Sequence, residues 1–85
     1  MNYAELRAFH AVASAGGFSR AAAALHVTQP TLSGQVKSLE AAYGVRLFDR
    51  RGRRSEPTEL GRELLAITRR FFRSEEHTSN SSHRL

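Results

Sequence analysis

Residues that end and start helices follow one another closely in this chain, and they restrict it to a few short helices. Gly16 and Gly17 interrupt the first apolar pattern, and Thr28 with Pro30 opens another soon afterwards. Glycine is common after a helix, and a capping hydroxyl followed by proline is common at a helix start. Within 85 residues that contain no cysteine, these signals predict one small helical domain with no disulfide framework and no thiolate metal site.

The first two helices are predicted from caps and apolar spacing. Asn2 and Glu5, three residues apart, form a capping-box pattern that opens a helix over residues 3–15. For the second helix, over residues 20–25, we expect Ser19 to be the N-cap. The third helix starts about three to four residues after the second ends, which is the spacing of a helix-turn-helix.

The third helix, expected over residues 29–43 with Thr28 as its N-cap, has two different faces. An apolar stripe recurs at helical spacing: Leu32, Val36, Leu39 and Tyr43. The opposite face is small, polar or cationic: Pro30, Ser33, Gly34, Lys37 and Ala41. Such a face fits a DNA major groove, where Ser33 and Lys37 would form hydrogen bonds and Pro30 would contact a thymine methyl. An ordinary solvated helix face is the alternative.

A basic stretch follows the third helix. Gly44 is expected to end that helix, and residues 45–48 to form a short strand that returns Leu47 or Phe48 to the core. Five arginines stand against one aspartate in residues 46–54: Arg46, Arg50, Arg51, Arg53 and Arg54. Gly52 lies at their centre, where a hairpin turn favours glycine. Because crowded guanidinium groups repel one another without an anion, we predict a two-stranded wing on DNA rather than a basic loop that binds nothing.

A last helix is predicted after Thr58, its expected N-cap. Its apolar stripe is Leu60, Leu64, Ile67 and Phe71. Leu65 and Phe72 widen this stripe beyond what one domain contact needs. We therefore expect part of the helix to pack on a second subunit.

The composition changes after residue 72. Residues 73–85 are rich in Ser, Glu, His, Thr and Asn, and they contain no apolar residue before Leu85. A segment of this composition cannot bury a face, so we expect disorder. Residues 73–83 also resemble the conceptual translation of a common sequencing adapter, which predicts a non-native tail on a truncated reading frame.

These motifs, taken in order, resemble the amino-terminal domain of the LysR-type transcriptional regulators. The resemblance covers residues 2–72. Its residues are the run 28–33, Gln35 with Val36, Leu39 with Glu40, Gly44, Leu47 with Phe48, and Arg50, together with the runs 18–22 and 58–61.

The resemblance implies a mainly α fold: a winged helix-turn-helix over residues 1–58, with three helices and a short β-hairpin wing, and then a linker and dimerisation helix starting at residues 59–72. It also implies a homodimer on double-stranded DNA. A carboxy-terminal domain that binds a small-molecule effector would follow, and these 85 residues do not include it.

The same resemblance implies which individual residues contact DNA bases and phosphates. On the recognition helix these are Gln29, Pro30, Ser33 and Lys37, supported by Thr28 and Thr31, and on the wing they are Arg50 and Arg53. Many relatives carry a long side chain, often Arg, where this chain has Gly34. A glycine there indicates either close approach of the backbone to DNA or tolerance of a weaker helix.

Other functions fit the sequence less well. His10 and His26 are isolated, so we expect neither catalysis nor a metal or cofactor site, and His10 is expected to be partly buried. No apolar run could cross a bilayer and residues 1–10 do not form a signal peptide, so a cytoplasmic location is expected. The alternative is a basic module that binds RNA or protein and dimerises through residues 59–72. Stacking on RNA is disfavoured because all five phenylalanines fall at core-type positions.

The charge distribution supports DNA as the partner. The formal net charge is +5, and Lys37 is the only lysine, so the excess is arginine, which suits phosphates and guanine edges. We predict that the wing arginines, Arg50, Arg51, Arg53 and Arg54, supply affinity. Gln29, Ser33 and Lys37 would then discriminate between sequences in nucleoid DNA.

Overall fold

The computed structural model describes the backbone of residues 2–49 and 55–84 and the side chains of residues 2–49 and 55–73. Its elements, in chain order, are α1 (Tyr3–Ala15), α2 (Phe18–Leu25), α3 (Gln29–Tyr43), β1 (Phe48–Asp49), β2 (Glu56–Pro57) and α4 (Glu59–Arg84). Helices α1, α2 and α3 pack on one another, and α4 packs back on α1. The predicted winged helix-turn-helix followed by a long helix is confirmed.

Helix α1 has the predicted bounds and caps. The Asn2 side chain accepts a hydrogen bond from the Glu5 backbone N–H at 2.8 Å, and Gly16 ends the helix with φ of 83°. The Glu5 carboxylate accepts a 2.8 Å hydrogen bond from the Ser38 hydroxyl. Glu5 therefore joins α1 to α3 in addition to its place in the first turn.

Helix α2 starts earlier than predicted. Its first residue is Phe18 and its N-cap is Gly17, so the expectation that Ser19 caps this helix is wrong. Phe18 is buried, with its ring centroid 5.6 Å from that of Phe48. Burial of this large ring places Phe18 inside the first turn, and Ser19 follows it as the second helical residue. His26 closes the helix in the left-handed conformation, with φ of 58°.

The core lies between α1, α2, α3 and the start of the wing. It consists of Ala8, Phe9, Val12, Phe18, Ala21, Ala22, Leu32, Val36, Leu39, Leu47, Phe48 and Leu65. Two expectations about aromatic residues are wrong. Tyr43 is 53% exposed, because it lies over a surface groove beside Leu60 and Leu64 instead of continuing the apolar stripe of α3 into the core. Phe71 is also exposed, although its neighbour Phe72 is buried.

The base of the wing is a short antiparallel ladder that pairs Phe48 with Pro57 and Asp49 with Glu56. The strand is shorter than predicted and begins at Phe48, because the backbone of Leu47 forms its hydrogen bonds with Glu40 and Thr58. Leu47 and Phe48 are both buried, where the sequence predicted one or the other. The predicted tip of the wing, residues 50–54 with four of the arginines, lies outside the described residues.

Helix α4 has three faces between Glu59 and residue 73. One is buried against the domain: Gly61, Leu65, Thr68 and Phe72. The adjacent face carries the predicted apolar stripe and is largely exposed, and the third face is polar. The helix continues to Arg84, past the predicted end at residue 72. Residues 73–84 contain no Gly or Pro to end it, and their non-native origin stays a prediction. No helix of the described residues is long and apolar enough to span a membrane.

Candidate nucleic-acid interface

The exposed side of α3 carries the side chains that the sequence singled out for DNA. Leu32, Val36 and Leu39 are at most 1% exposed and anchor the other side of the helix in the core. The exposed candidates are Thr28, Gln29, Pro30, Thr31, Gly34 and Lys37, whereas Ser33 is half-buried. The structure thus leaves six of the seven candidates of this helix exposed to a partner and covers part of Ser33.

Two threonines organise the start of α3. The Thr28 hydroxyl accepts a 3.3 Å hydrogen bond from the Thr31 backbone N–H, as predicted for an N-cap. It also donates to the Thr31 hydroxyl at 2.9 Å. Since the Thr31 oxygen is the acceptor in that bond, its own proton can be donated to an anion. The helix N-terminus carries partial positive charge, which favours phosphate at the same place.

A polar cleft joins the start of α2 to the start of α3. It is lined by Gly16, Gly17, Phe18, Ser19, Arg20, Gln29 and Ser55. Within it, the Ser19 hydroxyl donates a 3.2 Å hydrogen bond to the Gln29 amide oxygen. The sequence assigned Ser19 to a cap, and nothing in its local pattern indicated a contact with a residue ten positions away.

Gly34 lies in open space. A Cβ atom built on it meets no heavy atom of the described residues within 4 Å. Packing within the chain therefore does not require glycine here. The absence of a side chain leaves the α3 backbone accessible between Ser33 and Lys37.

Glu40 links α3 to the wing, and the sequence did not predict this role. Its carboxylate oxygen Oε2 accepts hydrogen bonds from the backbone N–H of Leu47 at 2.7 Å and of Phe48 at 3.3 Å. Because these bonds come from the first residue of β1 and the residue before it, the Glu40 side chain fixes the point at which the chain passes from α3 into the wing.

Thr58 and Gly61 secure the return from the wing into α4. The Thr58 hydroxyl accepts from the Gly61 backbone N–H at 3.1 Å, which confirms it as the N-cap, and donates to the Arg46 carbonyl at 2.7 Å. The Thr58 backbone N–H donates to the Leu47 carbonyl at 3.0 Å. A Cβ on Gly61 would overlap that carbonyl oxygen and press on Pro57. Only glycine allows this close crossing.

His10 connects α1 to α4. Its Nδ1 lies 2.8 Å from the Thr68 hydroxyl, which in turn donates to the Leu65 carbonyl at 3.1 Å. The His10 ring also lies against Phe72, with 4.7 Å between centroids. His10 is half-buried, as predicted. In the described residues, no group of three His, Cys, Asp or Glu side chains could hold a metal ion.

An apolar surface runs along α4 beside its buried face. Leu60, Ile67 and Phe71 are 43%, 62% and 46% exposed, and Leu64 is half-buried. Tyr3 extends this surface from α1, with its ring 6.4 Å from that of Phe71. The four residues predicted for dimerisation thus share one side of the helix that this domain leaves largely uncovered.

Comparison with known proteins gives a consistent set of relatives. The chain is 45% identical over 85 residues to an uncharacterised HTH-type transcriptional regulator in the ibpB-leuC intergenic region of Azotobacter vinelandii, and it covers 59% of that protein. The BenM DNA-binding domain in complex with catB site 1 DNA matches with a TM-score of 0.84 at 28% identity, covering 99% of this chain and 93% of that one. The CbnR DNA-binding domain in complex with DNA gives 0.79 at 37% identity, with coverages of 98% and 95%.

The family assignment follows from the extent of these matches. The chain spans between 18% and 59% of the length of the first curated relatives, which are regulators and not enzymes. Residues 3–62 match the model of the bacterial regulatory helix-turn-helix proteins of the lysR family. That match includes α1, α2, α3, the base of the wing and the start of α4, so the chain belongs to the LysR family of bacterial regulatory helix-turn-helix proteins.

Proposed function

We propose that this chain binds double-stranded DNA in a sequence-specific manner, as the DNA-binding module of a LysR-type transcription regulator. The observation that carries the proposal is the exposed side of α3, which presents Gln29, Thr31 and Lys37 from a helix anchored in the core. Two solved complexes of DNA-binding domains with DNA share this fold over nearly the whole chain. An exposed helix with small, polar and cationic side chains suits a major groove.

The contacts divide into two groups with different roles. Gln29, Ser33 and Lys37 discriminate between base pairs. Pro30 and Thr28, at the start of α3, set how that helix enters the major groove. The wing arginines, Arg50, Arg51, Arg53 and Arg54, supply affinity through phosphates and the minor groove. The support for the wing assignment is its charge, together with the Glu40 and Thr58 hydrogen bonds that fix its base.

The binding unit is a dimer formed through α4. Its apolar surface, Leu60, Leu64, Ile67 and Phe71, is continuous and largely uncovered in one copy of the domain. Two copies related by a two-fold axis place their recognition helices on half-sites about one helical turn, or a multiple of it, apart. The effector of the whole regulator acts through a domain beyond these 85 residues, and the site of action is nucleoid DNA in the cytoplasm.

A basic module for RNA or protein is less well supported. Its partner surface would need exposed aromatic side chains for stacking on RNA. The exposed aromatics of the described residues, Tyr3, Tyr43 and Phe71, lie on α1, at the end of α3 and on α4, away from the exposed side of α3. The DNA-bound neighbours favour the DNA interpretation as well.

Selection of duplexes from a random pool by the 85-residue chain tests the proposal. We expect a consensus with two-fold symmetry that survives competition with nonspecific duplex and with RNA of the same length. Equal retention of all duplexes, or preferential retention of RNA, would contradict it and favour the alternative module.

The dimer is tested by sedimentation equilibrium. Phe71→Ser places a hydroxyl on the exposed apolar surface of α4, whereas the matched control Ala66→Ser changes the polar face of the same helix. We expect Phe71→Ser to weaken self-association and Ala66→Ser to leave it unchanged. The same response in both variants would contradict the assignment of this surface.

A further inference from the structure

Two contacts at separate points hold α4 on the domain. At the proximal anchor, Gly61 crosses the Leu47 carbonyl so closely that a Cβ atom would overlap it. At the distal anchor, the Thr68 hydroxyl lies 2.8 Å from Nδ1 of His10 on α1. Gly61 and Thr68 are two turns apart, about 10 Å along a helix. Attachment at both points defines the direction in which α4 leaves the domain.

The distal anchor is polar in a place where apolar contact is the rule. Among the described residues, Thr68 is the only polar side chain that is buried, and it is 0% exposed. The face beside it, largely exposed, consists of large apolar side chains: Leu60, Leu64, Ile67 and Phe71. Apolar burial scales with area, so burial alone favours a turn of that face toward the domain. An apolar side chain in the place of Thr68 would offer His10 Nδ1 no hydrogen-bond partner, so the polar anchor opposes this turn.

A hydrogen bond restricts the helix in a way that the neighbouring apolar contacts do not. Leu65 and Phe72 are buried on the same face of α4, and the Phe72 ring lies 4.7 Å from that of His10. Apolar burial has no preferred direction, so such contacts tolerate small shifts. A hydrogen bond weakens steeply as its geometry departs from the optimum, and buried polar contacts set the register of helices in coiled coils. The distal anchor therefore limits how far α4 can swing about the proximal anchor.

The direction of α4 matters most in a dimer formed through this helix. Each copy carries its recognition helix, α3, on a domain that is fixed to α4. A two-fold axis repeats any swing of α4 in both copies, so the distance between the two α3 helices changes with it. Half-sites on DNA differ in separation by steps of one base pair, about 3.4 Å. A small swing is thus enough to favour a neighbouring half-site separation.

We propose that His10 and Thr68 are positioning residues that fix the direction of α4, and thereby the half-site separation that two copies of this chain select. The proposal rests on the proposed function, since it takes the partner to be a second copy and the ligand to be duplex DNA. Neither residue needs to contact DNA or the second copy. A contact between α1 and α4 inside one domain contributes in this way to the choice of site.

Distances between spin labels within one copy test the positioning directly. The 85-residue chain contains no cysteine, so Ala41→Cys on α3 and Arg69→Cys on α4, both at exposed positions, provide the only labelling sites. Pulsed electron paramagnetic resonance on this chain, diluted into an excess of unlabelled chain, should give one narrow distance distribution. Thr68→Val removes the hydroxyl, and His10→Phe removes the ring nitrogen but keeps an aromatic ring against Phe72. We expect either change to broaden the distribution by about 3 Å, close to the rise of one base pair.

Matched variants separate the bond between α1 and α4 from other effects. The Ser14 hydroxyl lies 3.4 Å from His10 Nε2, but Ser14 belongs to α1 itself. Ser14→Ala should therefore keep the narrow distribution, as should Thr68→Ser, which retains the hydroxyl. Urea denaturation establishes that the variants compared are folded. A distribution as narrow as the wild type in folded Thr68→Val or His10→Phe would overturn the proposal, and so would equal broadening in Ser14→Ala.

Binding to duplexes with half-sites at successive separations then tests the consequence for DNA. In Thr68→Val we expect the preference for one separation over its neighbours to fall about fivefold, the lower end of the usual coupling between two sites. Affinity for a single half-site should not change. An unchanged preference for separation would overturn the proposal. A wild-type chain that selects no duplex would instead contradict the proposed function alone, because label distances within one copy depend on neither DNA nor dimerisation.

Discussion

The two ends of α3 use their polar side chains in opposite ways. At the start of the helix, Thr28, Gln29 and Thr31 are exposed, and the hydrogen bonds between their side chains and other described side chains join them to exposed groups. At the other end, the Glu40 carboxylate is half-buried and bonded to the backbone of Leu47 and Phe48. One end is free to meet a partner, whereas the other is occupied in shaping the domain.

The difference teaches where substitutions should affect folding and where they should affect binding. Removing a polar group that faces water costs little stability. Removing a half-buried acceptor costs more, because the backbone N–H groups that it served are left without that hydrogen bond. Substitutions at the wing end should therefore lower stability, whereas substitutions at the exposed end should alter DNA binding and leave the fold intact.

Gly61→Ala should have the largest effect on stability. The added methyl overlaps the Leu47 carbonyl, a backbone atom that cannot rotate away. We expect the free energy of unfolding to fall by about 3 kcal/mol, the upper part of the usual range for overpacking. Urea denaturation at constant protein concentration measures it. No change in the midpoint would show that the crossing of α4 over the wing is looser than described.

Glu40→Ala should come next, because it leaves the N–H groups of Leu47 and Phe48 without their carboxylate acceptor. We expect a loss of about 2 kcal/mol in the free energy of unfolding. Glu40→Gln keeps one acceptor oxygen and should lose about half as much. Equal stability of both variants and the wild type in urea would contradict the role of Glu40 as the link to the wing.

Gln29→Ala should separate binding from folding at the exposed end. We expect the free energy of unfolding to change by less than about 0.5 kcal/mol, as for other surface substitutions. Binding to the preferred duplex should weaken by about 1–3 kcal/mol, with one base position relaxed. Titration against preferred and single-base variant duplexes checks this. Equal losses on every duplex would argue against base discrimination by Gln29.

Gly34→Ala should change stability in the direction opposite to Gly61→Ala, and by a smaller amount. The new methyl enters open space, and alanine favours a helix interior over glycine by about 1 kcal/mol. We expect a higher urea midpoint. The same titration against the preferred duplex then decides between the two explanations of this glycine. Weaker binding would indicate close approach of the backbone to DNA, and unchanged binding would indicate tolerance of a weaker helix.

Features set by residues close in sequence were predicted correctly, whereas features set by packing between distant residues were not. Caps such as Asn2, Thr28 and Gly44 act within one turn, so the bounds of α1 and α3 agreed with the structure. The start of α2 did not, because burial of Phe18 against Phe48, thirty positions away in sequence, outweighed the capping preference of Ser19. Tyr43 has the helical spacing of a buried residue, but it is exposed. Spacing along one helix does not show whether a neighbouring element covers that position.

By itself the sequence determined the local structure and the placement of charge. Three short helices, the separation of apolar from polar faces on α3, and the concentration of arginine after Leu47 all follow from composition and spacing. Only the tertiary structure decided which side of α4 is buried, that Glu40 binds the wing, and that Ser19 contacts Gln29. The two helical glycines differ for the same reason: Gly34 faces open space and Gly61 faces the Leu47 carbonyl. These contacts join residues distant in sequence, so packing sets them and no local pattern records them.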